Sequence, residues 1–160
     1  MRYLLDTVAI SDFTKMPGDR GVKAWFGSVD EDDTFLSVGV VAELRLGIQN
    51  RSVNRHGVDL EFWLSHQLLP RFAGRIIGVD PLVADVWGRN LHTLRAAGRV
   101  NYVVDALIGA TARVHDLVVV TRNVRDFEPL GVDLLNPWTD GPGQGTGLLP
   151  KFIRRDQALG

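Results

Sequence analysis

Short apolar runs alternate with longer amphipathic stretches along the first 138 residues of the chain. The short runs are rich in Leu, Ile and Val and end in polar or turn residues, which is typical of strands buried in a sheet. They predict five strands, at 2–6, 34–38, 75–79, 117–121 and 132–136.

The stretches between the strands carry apolar residues at spacings of three and four, which predicts helices. These helices cover 19–29, 40–50, 59–73, 81–98 and 102–115. Asp80 precedes Pro81, so we expect Asp80 to cap a helix that has the proline in its first turn. Strands that alternate with helices predict an α/β fold, with a mostly parallel central sheet flanked by helices on both faces.

The composition changes after Trp138. Residues 139–160 include the run GPGQGTG, which suits neither a helix nor a strand. The sequence therefore predicts one domain over 1–138 and a tail over 139–160 that contains Gly and Pro. We expect this tail to be disordered, or to dock on the domain or on a partner through its basic, mildly amphipathic segment LLPKFIRR.

Composition excludes several classes of protein. The chain of 160 residues has no cysteine, which rules out thiol nucleophiles, zinc–cysteine sites and disulfide scaffolds. A formal net charge of −1, from 18 basic and 19 acidic residues, argues against bulk electrostatic binding of duplex DNA but leaves RNA open as a substrate. The four histidines lack the spacing of metal ligands. The N-terminus resembles no export signal, so a cytoplasmic protein is expected.

Three carboxylates stand among apolar neighbours, where an isolated charge is costly to bury. They are Asp6 after Leu-Leu, Glu43 in Val-Val-Ala-Glu-Leu, and Asp105 in Val-Val-Asp-Ala-Leu. In a parallel sheet, ligands bind at the carboxyl ends of the strands. Oxygen ligands without His or Cys suit Mg²⁺ or Mn²⁺, so the pattern indicates an acidic site that could bind metal.

Each carboxylate also has a structural alternative. Asp6 could cap the helix that follows its strand. Glu43 could pair with Arg45 or Arg122. Asp105, if it is early in its helix, could simply interact with the helix dipole.

Five blocks of the sequence, in their order and spacing, resemble PIN-domain ribonucleases of the VapC toxin type, especially the FitB-like branch. They are YLLDTVAIS, LSVGVVAELRLG, LLPRFAGRIIGVD, VVDALIGATARVHDLVVVTRNVRDF and LLNPW, and together they span nearly all of residues 2–138. The resemblance implies a PIN-like three-layer fold. It also implies an endoribonuclease that depends on Mg²⁺ or Mn²⁺ and leaves a 5′-phosphate and a 3′-hydroxyl.

The resemblance assigns roles to individual residues. It makes Asp6, Glu43 and Asp105 the acidic metal ligands, and it puts Asn123 where many relatives have a fourth acid. Asp126 follows in the same segment and either compensates for Asn123 or caps the turn before Phe127.

Three further residues are expected beside the acidic pocket. Thr121 and Arg122 belong to the same motif as Asn123, and Arg45 follows Glu43 on its helix. They are candidate contacts to the RNA substrate, and the alternative for the two arginines is to neutralise carboxylates.

The resemblance also implies partners. The chain would be the toxin of a type II toxin–antitoxin pair, inhibited by a cognate antitoxin. It would form a homodimer, and a heterotetramer or larger assembly with the antitoxin. Its RNA substrate would be a tRNA, an rRNA or an mRNA.

Two departures from the family pattern motivate a second hypothesis. Val8 stands where the family usually has Asn, and Asn123 replaces an acid. The chain could therefore be a catalytically weak or inactive PIN-like module that binds nucleic acid or a partner in a regulatory complex. Val8 also argues against a haloacid-dehalogenase-type phosphatase, which needs a second Asp there. A receiver-like domain needs a late-strand Lys, and none lies between Lys23 and Lys151.

Overall fold

The chain forms, in a computed structural model, an α/β fold around one five-stranded sheet whose strand pairs are all parallel. The structure describes residues 1–15, 17–50 and 59–140. The strands are β1 (Tyr3–Leu5), β2 (Thr34–Ser37), β3 (Ile76–Ile77), β4 (Val118–Val120) and β5 (Leu134–Leu135), in the spatial order β3-β2-β1-β4-β5. Each of them falls within a predicted strand, so the predicted α/β fold with a parallel central sheet is confirmed.

The longer helices occupy the predicted stretches with small shifts at their ends, and two short helices lie outside those stretches. They are α1 (Thr7–Ser11), α2 (Arg20–Ser28), α3 (Val38–Asn50), α4 (Leu60–Phe62), α5 (Leu69–Arg71), α6 (Pro81–Ala96), α7 (Val103–His115) and α8 (Val124–Phe127). Short 3-10 turns cover Asp12–Thr14, Glu31–Asp33 and Glu128–Leu130. The predicted helical stretches include neither α1, which follows the first strand, nor α8, which lies between the last two strands, because four or five residues are too few to show a helical period.

Aspartates begin several of these helices. The Asp80 carboxylate accepts a 2.8 Å hydrogen bond from the amide of Val83, as predicted, and Asp19 accepts from the amides of Gly21 and Val22. Each bond satisfies an amide that has no partner within its own helix.

A π-helical stretch, Trp63–Leu68, joins α4 to α5 just before Pro70. The amide of Leu69 donates to the carbonyl of Leu64, five residues earlier. Proline has no amide hydrogen and its ring crowds the preceding turn, so the wider turn accommodates Pro70 without ending the helix.

Helix α7 is the central helix of the fold, and its residues Ala106 to Ala112 are all buried. Helix α3 approaches it closely at Gly39, where an added Cβ would lie 3.1 Å from Leu107 and 3.2 Å from Val104. The lack of a side chain at Gly39 thus lets α3 and α7, the helices that carry Glu43 and Asp105, pack side by side.

The strand order creates a switch point between β1 and β4. The chain runs outward from β1 through β2 to β3 and then returns to the other side of β1 as β4. Leu5 of β1 is in register with Val120 of β4. Asp6 and Thr121, the next residue after each strand, therefore lie side by side. In open parallel sheets this crevice at the carboxyl ends is where ligands bind.

The end of the described chain lies against α2. An added Cβ at Gly21 would overlap the carbonyl oxygen of Pro137, so the backbone of Pro137 packs directly on the first turn of α2. Of the predicted tail, Thr139 and Asp140 form a turn through hydrogen bonds to the Asn136 carbonyl, and 141–160 lie outside the described residues. None of the described helices is long and apolar enough to cross a membrane.

Candidate active site

Asp6 is held at the end of β1 with both carboxylate oxygens in use. It is the N-cap of α1, and its Oδ1 accepts a 2.6 Å hydrogen bond from the amide of Thr7. The Thr121 hydroxyl donates to Oδ2 at 2.7 Å. Asp6 is 3% exposed. Helix capping explains the contact of Oδ1, and Oδ2 is held by Thr121, the residue that follows β4.

Glu43 lies on α3 and is half-buried. Its Oε2 accepts a hydrogen bond from the hydroxyl of Thr7. Thr7 thus contacts two candidate ligands, since its amide donates to Asp6 and its hydroxyl to Glu43. Nothing in the local sequence around Thr7 signals this second contact, because the two residues are 36 positions apart.

Asp105 lies in the first turn of α7, as the sequence predicted, and is half-buried. Two side chains of α6 hold this end of α7: Trp87 Nε1 donates to the Val103 carbonyl and Asn90 Nδ2 to the Ala106 carbonyl, each at 3.0 Å. The position of Asp105 is therefore set by packing between α6 and α7.

Burial and neighbouring negative charge raise the pKa of two carboxylates of the site, Asp6 and Asp105. Burial, followed by the negative charges of Asp6, Glu43 and Asp126, raises the pKa of Asp105 to about 7. Burial also raises the pKa of Asp6 to about 6, against the opposing hydrogen bonds from Thr121 and Thr7. The charges of Glu43 and Asp126 thus act on both Asp6 and Asp105.

Within the described part of the chain, no Lys or Arg forms an ion pair with Asp6, Glu43 or Asp105. Asp12 shows the contrast. It is also buried, but the Lys15 ammonium lies 3.3 Å from its Oδ1 and the Asp19 amide donates to its Oδ2. Asp12 was not a candidate site residue from the sequence, and these two partners account for its burial.

The donors of the site fit a divalent cation in chemistry and charge. Carboxylate oxygens are the ligands that Mg²⁺ and Mn²⁺ prefer. Three carboxylates here have no ion-pair partner among the residues that the structure describes. Among the described residues, however, no three His, Asp or Glu side chains stand together as a ready-made group of ligands. The three carboxylates therefore fit a divalent cation by the type of their ligand atoms and by their negative charge.

The arginines expected beside the pocket have other partners. Arg45 pairs with Glu61 of α4, and the Arg122 guanidinium lies 5.8 Å from the ring centre of Trp138. Glu43 pairs with neither of them in the described structure. The described residues therefore do not show the ion pair with Arg45 or Arg122 that was the structural alternative for Glu43.

The segment after β4 divides into a buried and an exposed part. Thr121 is fully buried, and besides donating to Asp6 it accepts a 2.9 Å hydrogen bond from the amide of Asn123. It thus positions a carboxylate and has no surface for a substrate. Arg122 and Asn123 are exposed, whereas Asp126 lies 3.8 Å from Arg99.

Comparison with known proteins gives consistent matches. The PIN domain family matches residues 3–131. The chain is 36% identical over 137 residues to toxin FitB of Neisseria gonorrhoeae, covering 86% of this chain and 99% of that protein. It is 33% identical over 135 residues to VapC ribonuclease Y4jK of Sinorhizobium fredii, covering 84% and 96%.

Solved structures agree. A crystal structure of FitAcB from Neisseria gonorrhoeae aligns with a TM-score of 0.75 at 35% identity, over 86% of this chain and 99% of that one. A FitAB complex bound to a DNA fragment aligns with a TM-score of 0.74 at 33% identity, over 85% and 95%. The resemblance inferred from the sequence is confirmed.

Proposed function

Because this chain belongs to the PIN domain family, we propose that it is a metal-dependent endoribonuclease and the toxin of a type II toxin–antitoxin pair. One observation carries the proposal. Asp6 after β1 and Asp105 on α7 are carboxylates whose pKa is raised by burial and, in part, by the charge of Glu43 on α3. The names of the similar proteins, a toxin and a ribonuclease, support it.

In this proposal Asp6, Glu43 and Asp105 hold Mg²⁺ or Mn²⁺, and Asn123 or Asp126 completes the site. A divalent ion bound there supplies a nucleophilic water at neutral pH and offsets the negative charge that develops on the scissile phosphate. The amide oxygen of Asn123 is a neutral donor, so the site carries less negative charge than one with a fourth acid in that place.

The remaining residues of the site orient these ligands and the substrate. Thr121 and Thr7 hold the Asp6 carboxylate in one orientation, and Thr7 also restrains Glu43. Such fixed ligands need little rearrangement when substrate binds. The exposed side chains of Arg122 and Asn123 follow β4 at the same edge of the sheet, where they can donate hydrogen bonds to RNA phosphates.

We also propose the partners that the similar structures suggest. FitAB and FitAcB are complexes, and a cognate antitoxin is the corresponding partner here. It would bind a homodimer of this chain in a heterotetramer or larger assembly and inhibit cleavage of cytoplasmic tRNA, rRNA or mRNA. A basic side chain inserted among Asp6, Glu43 and Asp105 would inhibit effectively, because it would supply the charge that these carboxylates lack.

The test is cleavage of total RNA by the purified, antitoxin-free protein, with and without Mg²⁺ or Mn²⁺. Asp6→Asn removes one ligand. Asp85→Asn is the matched control, since Asp85 is an exposed residue of α6 that pairs with Arg89. We expect metal-dependent cuts with 5′-phosphate ends from the wild type and from Asp85→Asn, and none from Asp6→Asn. Equal cleavage by all three proteins would exclude this site.

A second candidate function is a PIN-like module that binds RNA or a partner without cleaving. The absence of a ready-made group of three ligands among the described residues favours it, together with Asn123 and Val8. Intact RNA with both the wild type and Asp6→Asn, and no heat of metal binding in calorimetry, would make this the better description.

A further inference from the structure

The guanidinium of Arg99 connects the start of α7 with α8. Its Nη1 donates a hydrogen bond to the carbonyl of Arg125 and lies 3.8 Å from Oδ1 of Asp126. Its Cζ is 5.7 Å from the ring centre of Tyr102, which is within the range of a cation–π contact. Tyr102 is the N-cap residue of α7, the helix that carries Asp105, whereas Arg125 and Asp126 belong to α8. One side chain thus links the helix of a candidate ligand to Asp126.

A Schellman motif at the end of α6 sets the position of Arg99. The amide of Gly98 donates to the carbonyl of Arg95 at 2.9 Å, and the amide of Arg99 donates to the carbonyl of Leu94 at 2.8 Å. Gly98 has a φ of +76°, which glycine adopts without strain. The motif ends α6 and turns the chain, so Arg99 leaves the helix in a defined direction.

The charge of Asp126 acts on the carboxylates of the candidate active site. Burial and, in part, the charge of Asp126 raise the pKa of both Asp6 and Asp105. The same repulsion acts on Asp126, and its side chain is 26% exposed. In the part of the chain that the structure describes, Arg99 is the only Lys or Arg that forms an ion pair with it. Arg99 therefore supplies the attraction that opposes rotation of this carboxylate into solvent.

The ion pair leaves the oxygens of Asp126 accessible to a further ligand. The distance of 3.8 Å between Arg99 Nη1 and Asp126 Oδ1 is longer than a charge-assisted hydrogen bond, which measures about 2.7–2.9 Å. The Arg125 carbonyl, which accepts from the same Nη1, holds the guanidinium in place. Arg99 thus attracts the carboxylate without using its oxygens in a hydrogen bond.

From these contacts we propose that Arg99 is a positioning residue, which acts on the metal site by holding Asp126 beside Asp6 and Asp105. The inference rests on the proposed metal-dependent function. It favours Asp126 over Asn123 as the residue that completes the site. Asn123 is exposed, and no hydrogen bond to another described residue orients its side chain.

The test measures the Kd for Mn²⁺ by calorimetry on the full-length protein without RNA. The variants are Arg99→Gln, Asp126→Asn, the combination of the two, and Arg99→Lys. Arg95→Gln is the matched control, because it removes a positive charge from an exposed position in the last turn of α6. The Tm of each metal-free protein shows whether the fold is intact, and RNA cleavage is measured in parallel.

We expect Arg99→Gln and Asp126→Asn each to raise the Kd for Mn²⁺ about tenfold or more. The combined variant should bind Mn²⁺ as Asp126→Asn does, because Arg99 acts through Asp126. Arg99→Lys keeps the charge and should recover most of the affinity, and Arg95→Gln should bind like the wild type.

The sign of the effect separates positioning from simple electrostatics. Loss of a positive charge near a cation site would by itself lower the Kd, so tighter binding by Arg99→Gln would overturn the proposal. An unchanged Kd would also overturn it, even with a lower Tm, since Arg99 would then serve stability alone. Effects of the two single substitutions that multiply in the combined variant would show that Arg99 does not act through Asp126.

Failure of this inference can be distinguished from failure of the proposed function. A wild type that cleaves RNA with Mn²⁺, together with an Arg99→Gln variant of equal Kd, would overturn the role of Arg99 alone. A wild type that binds Mn²⁺ but leaves RNA intact would contradict the nuclease, and the Kd values would still decide the role of Arg99. A wild type that binds no Mn²⁺ would overturn both.

Discussion

The side chains of Asp6 and Thr121, 115 residues apart in sequence, meet through a 2.7 Å hydrogen bond that the Thr121 hydroxyl donates to Asp6 Oδ2. This bond joins the ends of β1 and β4 at the switch point of the sheet. It lies inside the protein, because Thr121 is fully buried and Asp6 is 3% exposed. The orientation of the candidate ligand therefore depends on a residue that no substrate can reach.

Replacing Thr121 by Val should lower both stability and cleavage. The hydrogen bond reaches a charged, buried group, so its loss should cost about 1.5–3 kcal/mol in the free energy of unfolding. Loss of a group that orients a metal ligand should reduce RNA cleavage about 10–100-fold. Thr121→Ser keeps the hydroxyl and should remain close to the wild type in both denaturant titrations and cleavage rates. A Val variant that cleaves like the Ser variant would remove the positioning role.

Replacing Asp105 by Asn should stabilise the metal-free protein at pH 8. The pKa of Asp105 is raised from its ordinary value of 3.8 to about 7, so the folded state binds this proton more tightly than the unfolded chain does. The free energy of unfolding should then fall as the pH rises from about 4 to about 7. The variant lacks this group, and its Tm at pH 8 should be about 2–4 °C higher, which is about 1 kcal/mol for a domain of this size.

Adding Mg²⁺ should raise the Tm of the wild type more than that of Asp105→Asn. A cation that binds only the folded state stabilises it, and removal of a ligand weakens this effect. We expect Mg²⁺ to raise the Tm of the wild type and of the control Asp85→Asn more than that of Asp105→Asn. An equal rise in all three proteins would mean that Asp105 does not contact the ion.

Protonation of Glu31 should account for part of the fall in the free energy of unfolding at acidic pH. The hydrogen bonds and charges of Arg71 and Arg75 lower the pKa of Glu31 from 4.5 to about 2. Its stabilising contribution is therefore present above about pH 4.5 and is lost as the pH falls towards 2. Because Glu31 and Arg71 are exposed to solvent, Glu31→Gln should cost at most about 1 kcal/mol at pH 7. Urea titrations of both proteins should converge near pH 2, and a constant difference across this range would contradict the assignment.

Replacing Gly39 by Val should separate α3 from α7. The Cβ alone would lie 3.1 to 3.3 Å from Leu107, Val104 and Ser37, and the further methyl groups increase the overlap. Overpacking of this kind costs about 1–3 kcal/mol. Gly47→Val is the control on the same helix, because nothing lies within 4 Å of a Cβ at that position. Denaturant titration should show a loss for position 39 and none of that size for position 47.

The strands and most helices could be predicted because their signals are local. A run such as Leu117 to Thr121 shows by its neighbours alone that it is buried on both faces. Asp6, Glu43 and Asp105 could also be identified locally, because a carboxylate among apolar neighbours is costly to bury without a partner. The short helices α1 and α8 and the π-helical turn before Pro70 were not among the predicted helical stretches, because each is too short to show a helical period.

The contacts of the site were not predictable in the same way. Arg45 and Arg122 were expected near the carboxylates, and the structure pairs Arg45 with Glu61 and puts Arg122 over Trp138. Thr121 was expected to meet a substrate and instead bonds to Asp6. Each of these contacts depends on which residue of another helix or strand lies opposite. The long connections between the strands determine that pairing, and local sequence does not show it.

The class of fold could be predicted from the sequence alone, as could the order of the strands and longer helices and the three carboxylates that need a common partner. These follow from hydrophobic periodicity and from the cost of burying charge, which are properties of a residue and its neighbours. Only the folded chain shows that Thr7 and Thr121 hold the carboxylates of Asp6 and Glu43, and that a cavity opens beside α2. Hydrogen-bond partners and cavities are relations between surfaces that meet only when the chain has folded.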